Sequence, residues 1–381
     1  MSVQTHSSFS DTAMDHAQNP RHNEPLEHFN GHARITGPCG DTMEFWIQVE
    51  DEKIADIGFT TNGCASSLAC GSITAEMALH KALPIASNIE QKDILNALGD
   101  FPESSEHCAL LAMNTLHAAC AEYVENKNLK RIKHKIIILS GKGGVGKSTV
   151  AVNYAVSLLQ AGHRVGLLDI DLHGPSIPTM LGLEKAQLNQ GPQGLLPVDW
   201  NGLKVMSIGF LMQNPDDAII WRGPRKNSII KQFLRNVDWG DLDFLIIDSP
   251  PGTGDELLSV CQMGGEIRGA VVVTTPQKVS AVDARKSVTF CRELKIPVLG
   301  IIENMNGFTC PRCGEITEIL PSGAGRCISK EMKIFYLGSI PMDLRMARSA
   351  DEGQAFIGLN PDDPAIKNIA RIFNNITEES R

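Results

Sequence analysis

Residues 141–149 read Gly141-Lys142-Gly143-Gly144-Val145-Gly146-Lys147-Ser148-Thr149 and follow directly on the apolar run Ile136-Ile137-Ile138-Leu139. A buried strand that opens into a glycine-rich turn before a helix is the local pattern of a phosphate-binding loop. Glycine lets backbone N–H groups close on phosphate oxygens, while a lysine reaches the terminal phosphates and a hydroxyl ligates magnesium. Gly141, Gly146, Lys147 and Ser148 stand at those spacings, with Gly143, Gly144, Val145 and Thr149 completing the cradle. ATP with Mg2+ is the ligand this stretch calls for.

Outward from the loop, β-type apolar runs recur at 164–168, 244–247, 270–273 and 298–302, separated by segments long enough for crossover helices. That alternation predicts an α/β fold, a doubly wound and mostly parallel sheet. Asp169 and Asp171 close the second run and Asp248 closes the third, so the carboxylates fall at the sheet rim where the phosphate loop also lies. Asp248 fits the acid that holds magnesium. The stiff stretch Ser249-Pro250-Pro251-Gly252-Thr253-Gly254-Asp255 is placed to sense the γ-phosphate.

The chain has 381 residues, 42% of them apolar, enough for two or three soluble domains. No apolar run approaches the roughly 20 residues that span a bilayer. The first 30 residues lack the apolar core of a secretory signal, so cytoplasmic residence is expected. Residues 1–130 hold 18 acidic and 7 basic side chains, whereas the remainder holds 26 and 28. An acidic module repels nucleic acid, which favours a protein or metal partner there and no nucleic-acid or membrane partner. Ten cysteines in a cytosolic chain indicate thiolate chemistry or buried small side chains rather than disulfides.

Four segments are expected: a disordered tail over 1–12, a small α+β module over 13–127, a linker over 128–135, and the ATPase domain over 136–381. Within the small module, alternation at 44–49 and 54–60 around Glu50-Asp51-Glu52-Lys53 predicts a hairpin, and helices are expected over 67–81 and 108–124. His6, His16, His22, His28 and His32 are irregularly spaced, as on a solvated surface. The amphipathic stretch 365–374 ends near Glu378 and Glu379 rather than in lysines, so it reads as a packing helix and not a membrane anchor.

Cys310-Pro311-Arg312-Cys313 puts two thiolates on one short turn, half of a tetrahedral set. No other C-x-x-C occurs in the chain, so a symmetric dimer is the economical way to complete four thiolates; a redox dithiol or a zinc site completed by Cys327 stays open. In the first module Cys39, Cys64 and Cys108 accompany Asp41 and His107. Three thiolates and one labile oxygen or nitrogen ligand suit a two-iron cluster, with zinc as the chemical alternative. Cys70, Cys261 and Cys291 read as buried helix residues.

Lys142, directly after the first glycine, resembles the extra lysine of the deviant-Walker ATPases, which implies a homodimer in which it reaches the partner's nucleotide. That resemblance also implies that Asp171 positions or activates the attacking water, that Asp169 supports the magnesium shell, and that Asn304 recognises the base. An asparagine at a strand end that merely satisfies backbone is the plainer alternative. Met206-Ser207-Ile208-Gly209-Phe210-Leu211, Trp221-Arg222-Gly223-Pro224 and Gly307-Phe308-x-Cys310 are similar to the Mrp/Nbp35 (ApbC-like) iron–sulfur cluster carriers over nearly all of 135–372. This implies a 4Fe–4S cluster bridged between two subunits by Cys310 and Cys313.

The first module resembles the IscU/NifU scaffold family through Asn19-Pro20-Arg21 and through Cys39, Asp41, Cys64, His107 and Cys108, the positions of that family's cluster ligands. It departs from the family at Ser105 and Cys70. Together the resemblances imply slow ATP hydrolysis coupled to cluster assembly or transfer, with cysteine desulfurase and recipient apoproteins as partners. A MinD/ParA-like positioning ATPase and a nitrogenase-reductase-like electron donor remain the other readings of the phosphate loop.

Overall fold

The structure, a computed structural model, describes residues 9–172, 174–191, 194–211, 223–320 and 323–379. His6, His173, Trp221, Arg222 and residues 1–8 of the expected tail lie outside the described residues. The chain divides into two compact units, residues 1–127 and 128–381.

In the first unit, helix α1 (Asp11–Gln18) is followed by strands β1 (Gly31–Thr36), β2 (Thr42–Glu50) and β3 (Lys53–Thr61), which form an antiparallel sheet in that order. Helix α2 (Ala65–Ala78), a shorter helix Gln91–Leu98 and the long α3 (Glu106–Lys130) follow. Every second residue of β2 from Met43 to Val49 is buried, the period-2 pattern that the hairpin reading used. The hairpin turns through Asp51 and Glu52, both left-handed, as the twist of a two-residue turn demands. Phe45 and Phe59, fully buried with ring centroids 5.8 Å apart, anchor the core between sheet and helices.

Three local expectations change. Residues 9–12 are ordered, because the Ser10 side chain caps α1 by accepting from Ala13 N at 3.0 Å and Phe9 meets Phe101 edge-on at 5.4 Å. His16 is buried rather than solvated, its Nδ1 lying 2.8 Å from Ser72 Oγ. Most of the stretch read as a linker is regular: α3 runs to Lys130 and the next strand starts at Ile132, because Leu129 and Ile132 bury while Lys130 between them is exposed and Arg131 half-buried.

The second unit is built on a sheet with nine strands among the described residues. Its parallel core comprises β4 (Ile132–Leu139), β5 (Val165–Asp169), β6 (Leu203–Ser207), β7 (Leu242–Asp248), β8 (Gly269–Thr274), β9 (Val298–Thr309) and β10 (Tyr336–Met342). The spatial order is β9-β8-β4-β7-β5-β6, with β10 along β9 and short antiparallel strands at the two margins. Ile136 to Leu139 are all buried, as expected of a strand covered on both faces. Helix α4 (Lys147–Gln160) crosses from β4 towards β5, α5 (Lys278–Glu293) joins β8 to β9, and α6 (Leu344–Asp351) follows β10. The final helix α7 (Pro364–Glu379) buries Ile366, Ile369, Ile372, Phe373 and Ile376 in the core, so it is a packing element. No helix among the described residues is long and apolar enough to cross a membrane.

Phe59→Ala removes a ring that Gly71 of α2 packs against and is expected to destabilise the first unit by about 3–5 kcal/mol. Hydrogen-exchange mass spectrometry should place the loss of protection within residues 9–127 and leave the second unit unchanged.

Candidate nucleotide and metal sites

Strand register assembles the first site. β7 pairs with β4 on one side and β5 on the other, with Asp248 opposite both Ile138 and Asp169, and Asp169 in turn faces Ser207 of β6. Both carboxylates therefore emerge beside the point where β4 gives way to the glycine-rich loop. Gly146, left-handed at φ 81°, caps α4 and turns its first N–H groups towards the loop. A side chain at Gly146 would also collide with Asn304, whose Nδ2 would lie 2.2 Å from an added Cβ.

Lys147 Nζ donates to Asp248 Oδ1 at 2.7 Å and lies 3.4 Å from Ser148 Oγ, with lysine and aspartate both buried. Asp248 Oδ2 is buried without a hydrogen-bond partner. An orphaned carboxylate oxygen beside a loop hydroxyl fits a hard divalent cation, so Ser148 and Asp248 are the residues that would hold magnesium. Asp169 accepts from Ser207 Oγ at 2.9 Å and from Asp171 N at 3.0 Å. Burial, and then the facing Asp248 carboxylate, pushes Asp169 well above the usual carboxylate range. Burial also raises Asp248, against the pull of the Lys147 ammonium.

Two adjoining cavities meet at Gly146 and Thr149. One of about 310 Å3 is lined by the loop together with Lys142, Asp171 and Pro251. The other, of about 400 Å3, is walled by Met305, Phe308, Met342, Met346 and Asn304. A polar cradle next to an apolar chamber is the shape a nucleotide requires, phosphates on one side and base on the other. Asn304 is buried and donates Nδ2 to Val145 O at 2.8 Å, so its amide satisfies loop backbone while lining the chamber.

Asn304 lies on β9, which ends at Thr309, directly before the Cys310–Cys313 pair. Between them the strand breaks register against β10, with Met305 left-handed at φ 58° and Gly307 at φ 83°. The pair sits on the tip of a hairpin closed by Cys310 N to Glu315 O at 2.9 Å and by Phe308 and Thr309 against Thr317 and Ile316. Backbone N–H groups of Cys313 and Arg312 aimed at the Cys310 sulfur hold its thiol below the usual range. Cys327 is engaged elsewhere, donating to Glu331 Oε1 at 3.0 Å from an exposed helix.

In the first unit, ligand atoms of Asp41, Cys64 and Cys108 lie within 4.8 Å of one another, the metal-ligating group found among the described residues. Asp41 comes from the turn after β1, held by Gly37 N to Asp41 O at 2.8 Å. Cys64 is the N-cap of α2 and Cys108 lies in the first turn of α3, with His107 Nε2 3.6 Å from its sulfur. Cys39 is exposed on the same turn as Asp41, beside this group rather than inside it. Burial acts to raise the Cys64 thiol, but N–H groups of Ser67 and Ser66 at the start of α2 outweigh it, and the net shift is downward. Cys108 is pushed up to about 11, chiefly by burial. Cys70 is fully buried in α2, and Cys291 is buried in α5.

One residue of this site went unread in the sequence. Ser67, fully buried, donates to Asp41 Oδ2 at 2.8 Å and lies 3.4 Å from Cys108 Sγ. Its position three residues after Cys64, on the first turn of a helix, was the available signal.

The second unit is thus a P-loop NTPase with a dithiol hairpin, and the first is a small module with a thiolate–carboxylate group. The model of the ParA-type NUBPL iron-transfer P-loop NTPases matches residues 131–377, and that of the NifU-like N-terminal domain matches residues 8–130. The chain belongs to the NUBPL iron-transfer P-loop NTPase family and carries a NifU-like N-terminal domain. It is 48% identical over 254 residues to an iron–sulfur cluster carrier protein of Methanocaldococcus jannaschii, covering 66% of this chain and 87% of that protein. A cytosolic Fe–S cluster assembly factor NUBP2 homolog of Nematostella vectensis is 48% identical over 257 residues, covering 66% and 95%. Among solved structures, a nucleotide-binding protein of Archaeoglobus fulgidus in complex with ADP superposes with a TM-score of 0.54 at 41% identity, over 61% of this chain and 90% of that one.

Asp248→Asn keeps a carbonyl for Lys147 but removes the charge that faces the cation. Phosphate release from ATP is expected to fall by roughly a hundredfold or more, with an unchanged circular dichroism spectrum. Gly146→Ala adds the Asn304 clash to about 1–2 kcal/mol of left-handed strain and should weaken binding of a fluorescent ATP analogue by at least about tenfold.

Proposed function

We propose that this chain is an ATP-hydrolysing iron–sulfur cluster carrier fused to its own scaffold module, with the cluster as cargo and ATP turnover coupled to its binding or release. The observation that carries the coupling is β9, one strand that touches the phosphate loop through Asn304 and ends at Thr309, directly before Cys310 and Cys313. A change in the loop that shifts Asn304 is passed through the irregular segment at Met305 to Gly307 and reaches the thiols without crossing another element.

Within this reading Lys147 and Lys142 neutralise phosphate charge, Lys142 from across a homodimer, and Gly141, Gly143, Gly144, Val145 and Thr149 complete the cradle. Ser148 and Asp248 hold magnesium, which supplies charge neutralisation at the phosphates when bound. Asp169 supports that shell and Asp171 positions the attacking water. With Asn304 Nδ2 committed to Val145, its Oδ1 is the acceptor available to an adenine amino group.

Cys310 and Cys313 supply two thiolates, and the partner subunit's equivalent pair completes a 4Fe–4S cluster. Cys39, Asp41, Cys64 and Cys108, with His107 adjacent, hold a 2Fe–2S cluster or zinc, loaded with sulfide from a cysteine desulfurase and passed to recipient apoproteins. The identity to named cluster carriers and assembly factors supports the cargo assignment. A surface-positioning ATPase or an electron donor leaves the thiolate–carboxylate group of the first unit without a task.

Anaerobic reconstitution followed by Mössbauer spectroscopy tests the reading. Cys310→Ala with Cys313→Ala should abolish the four-iron component and leave the N-terminal component in place. Iron and sulfide unchanged after replacement of Cys39, Cys64, Cys108, Cys310 and Cys313 together would rule the proposal out.

A further inference from the structure

The hydroxyl of Ser67 occupies the middle of the N-terminal ligand group. It lies 2.8 Å from Asp41 Oδ2, 3.4 Å from Cys108 Sγ and 3.9 Å from Cys64 Sγ. One fully buried serine therefore touches three candidate ligands that come from three separate segments of chain.

A hydroxyl has a single proton to give. A bond of 2.8 Å to a carboxylate is charge-assisted and roughly twice as strong as a neutral one, whereas sulfur at 3.4 Å is a weak acceptor. The proton goes chiefly to Asp41, with the Cys108 sulfur a weaker acceptor of the same hydroxyl. Asp41 is otherwise held by the turn of its own backbone, through Gly37 N to Asp41 O. A side chain on such a turn needs a partner to keep its carboxylate facing thiols that two helices hold in place.

We propose that Ser67 is a positioning residue that fixes Asp41 as a one-oxygen ligand of the N-terminal metal site. With Oδ2 engaged by the hydroxyl, Oδ1 is the oxygen that turns to the metal. One oxygen with the thiolates of Cys64 and Cys108, and that of Cys39 brought in from the adjoining turn as the proposed function has it, would make four donors, the number tetrahedral thiolate-rich sites use, and a chelating carboxylate would make five. Partners that orient a metal-bound carboxylate are typically worth 10–100-fold in affinity. This inference rests on the reading that the first unit binds metal.

Co2+ titration of the full chain carrying Cys310→Ala and Cys313→Ala isolates the N-terminal site and reports both affinity and ligand geometry. The parent should show an intense tetrahedral d–d envelope with sulfur-to-cobalt charge transfer. Ser67→Ala should keep the charge-transfer band, change the d–d envelope to that of Asp41→Ala, and lose about tenfold in affinity. The double variant Ser67→Ala, Asp41→Ala should bind no more weakly than Asp41→Ala alone, and Ser67→Thr, which retains a hydroxyl, should recover most of the affinity. Parent-like binding by Ser67→Ala, or losses that multiply in the double variant, would overturn the positioning role and leave the metal site standing. Absence of Co2+ binding in the parent, unaltered by Cys64→Ala, would overturn the metal site and the positioning role together. Matching far-ultraviolet circular dichroism across the series establishes that each variant folds.

Discussion

The buried pair of Lys147 and Asp248, 2.7 Å apart at the rim of the parallel sheet, is the contact on which the nucleotide unit turns. Each charge alone at that depth would be costly, and removing one partner of a buried pair typically costs about 3–5 kcal/mol. The pair exists because three parallel strands are in register: β4 delivers the loop, β7 delivers the aspartate next to it, and β5 places Asp169 alongside. A slip of one residue in β7 would turn Asp248 into the opposite face of the sheet and leave the ammonium without its partner. Such pairs are poor sources of net stability, and the unpartnered Oδ2 of Asp248 indicates what this one is kept for. The pair leaves the lysine at the loop and one carboxylate oxygen without a partner, the arrangement that a phosphate and a cation would complete.

The same economy governs the thiol sites. On the hairpin tip, backbone N–H groups hold the Cys310 thiol below its usual range, and Cys313 is exposed. The N-terminal group is the opposite case: Cys108 is buried with its thiol raised to about 11, and Cys64 is lowered at a helix N-terminus. One unit thus presents a dithiol at a hairpin tip, and the other sets a buried thiol beside an exposed one and an oxygen donor.

Much of this was legible in the chain. The glycine spacing with the preceding isoleucines specified the phosphate loop, and the aspartates at the ends of apolar runs specified the rim, because both rest on local backbone requirements. The helix-dense middle of the first unit and the alternation of β2 were readable for the same reason, whereas β3 buries Ile57, Gly58 and Phe59 in succession. What failed did so where packing overrode local composition. The basic stretch before β4 looked like a linker, yet Leu129 and Ile132 bury and keep it regular; His16 looked solvated, yet it faces Ser72. Ser67 escaped notice because, apart from Cys64 three residues before it, its partners lie 26 and 41 residues away.

The sequence by itself determined the chemistry available: a triphosphate cradle, two acids for a cation, a dithiol, and three further cysteines with an aspartate and a histidine. Those follow from residue type and short spacing. Only the tertiary structure decided which of these groups meet. It set Asp248 against Lys147, committed the Asn304 amide to the loop, drew Asp41, Cys64 and Cys108 around one hydroxyl while leaving Cys39 outside, and ran a single strand from the loop contact at Asn304 to the residue before Cys310. Such contacts depend on strand register and helix packing between segments distant in the chain, and no local pattern of residues encodes them.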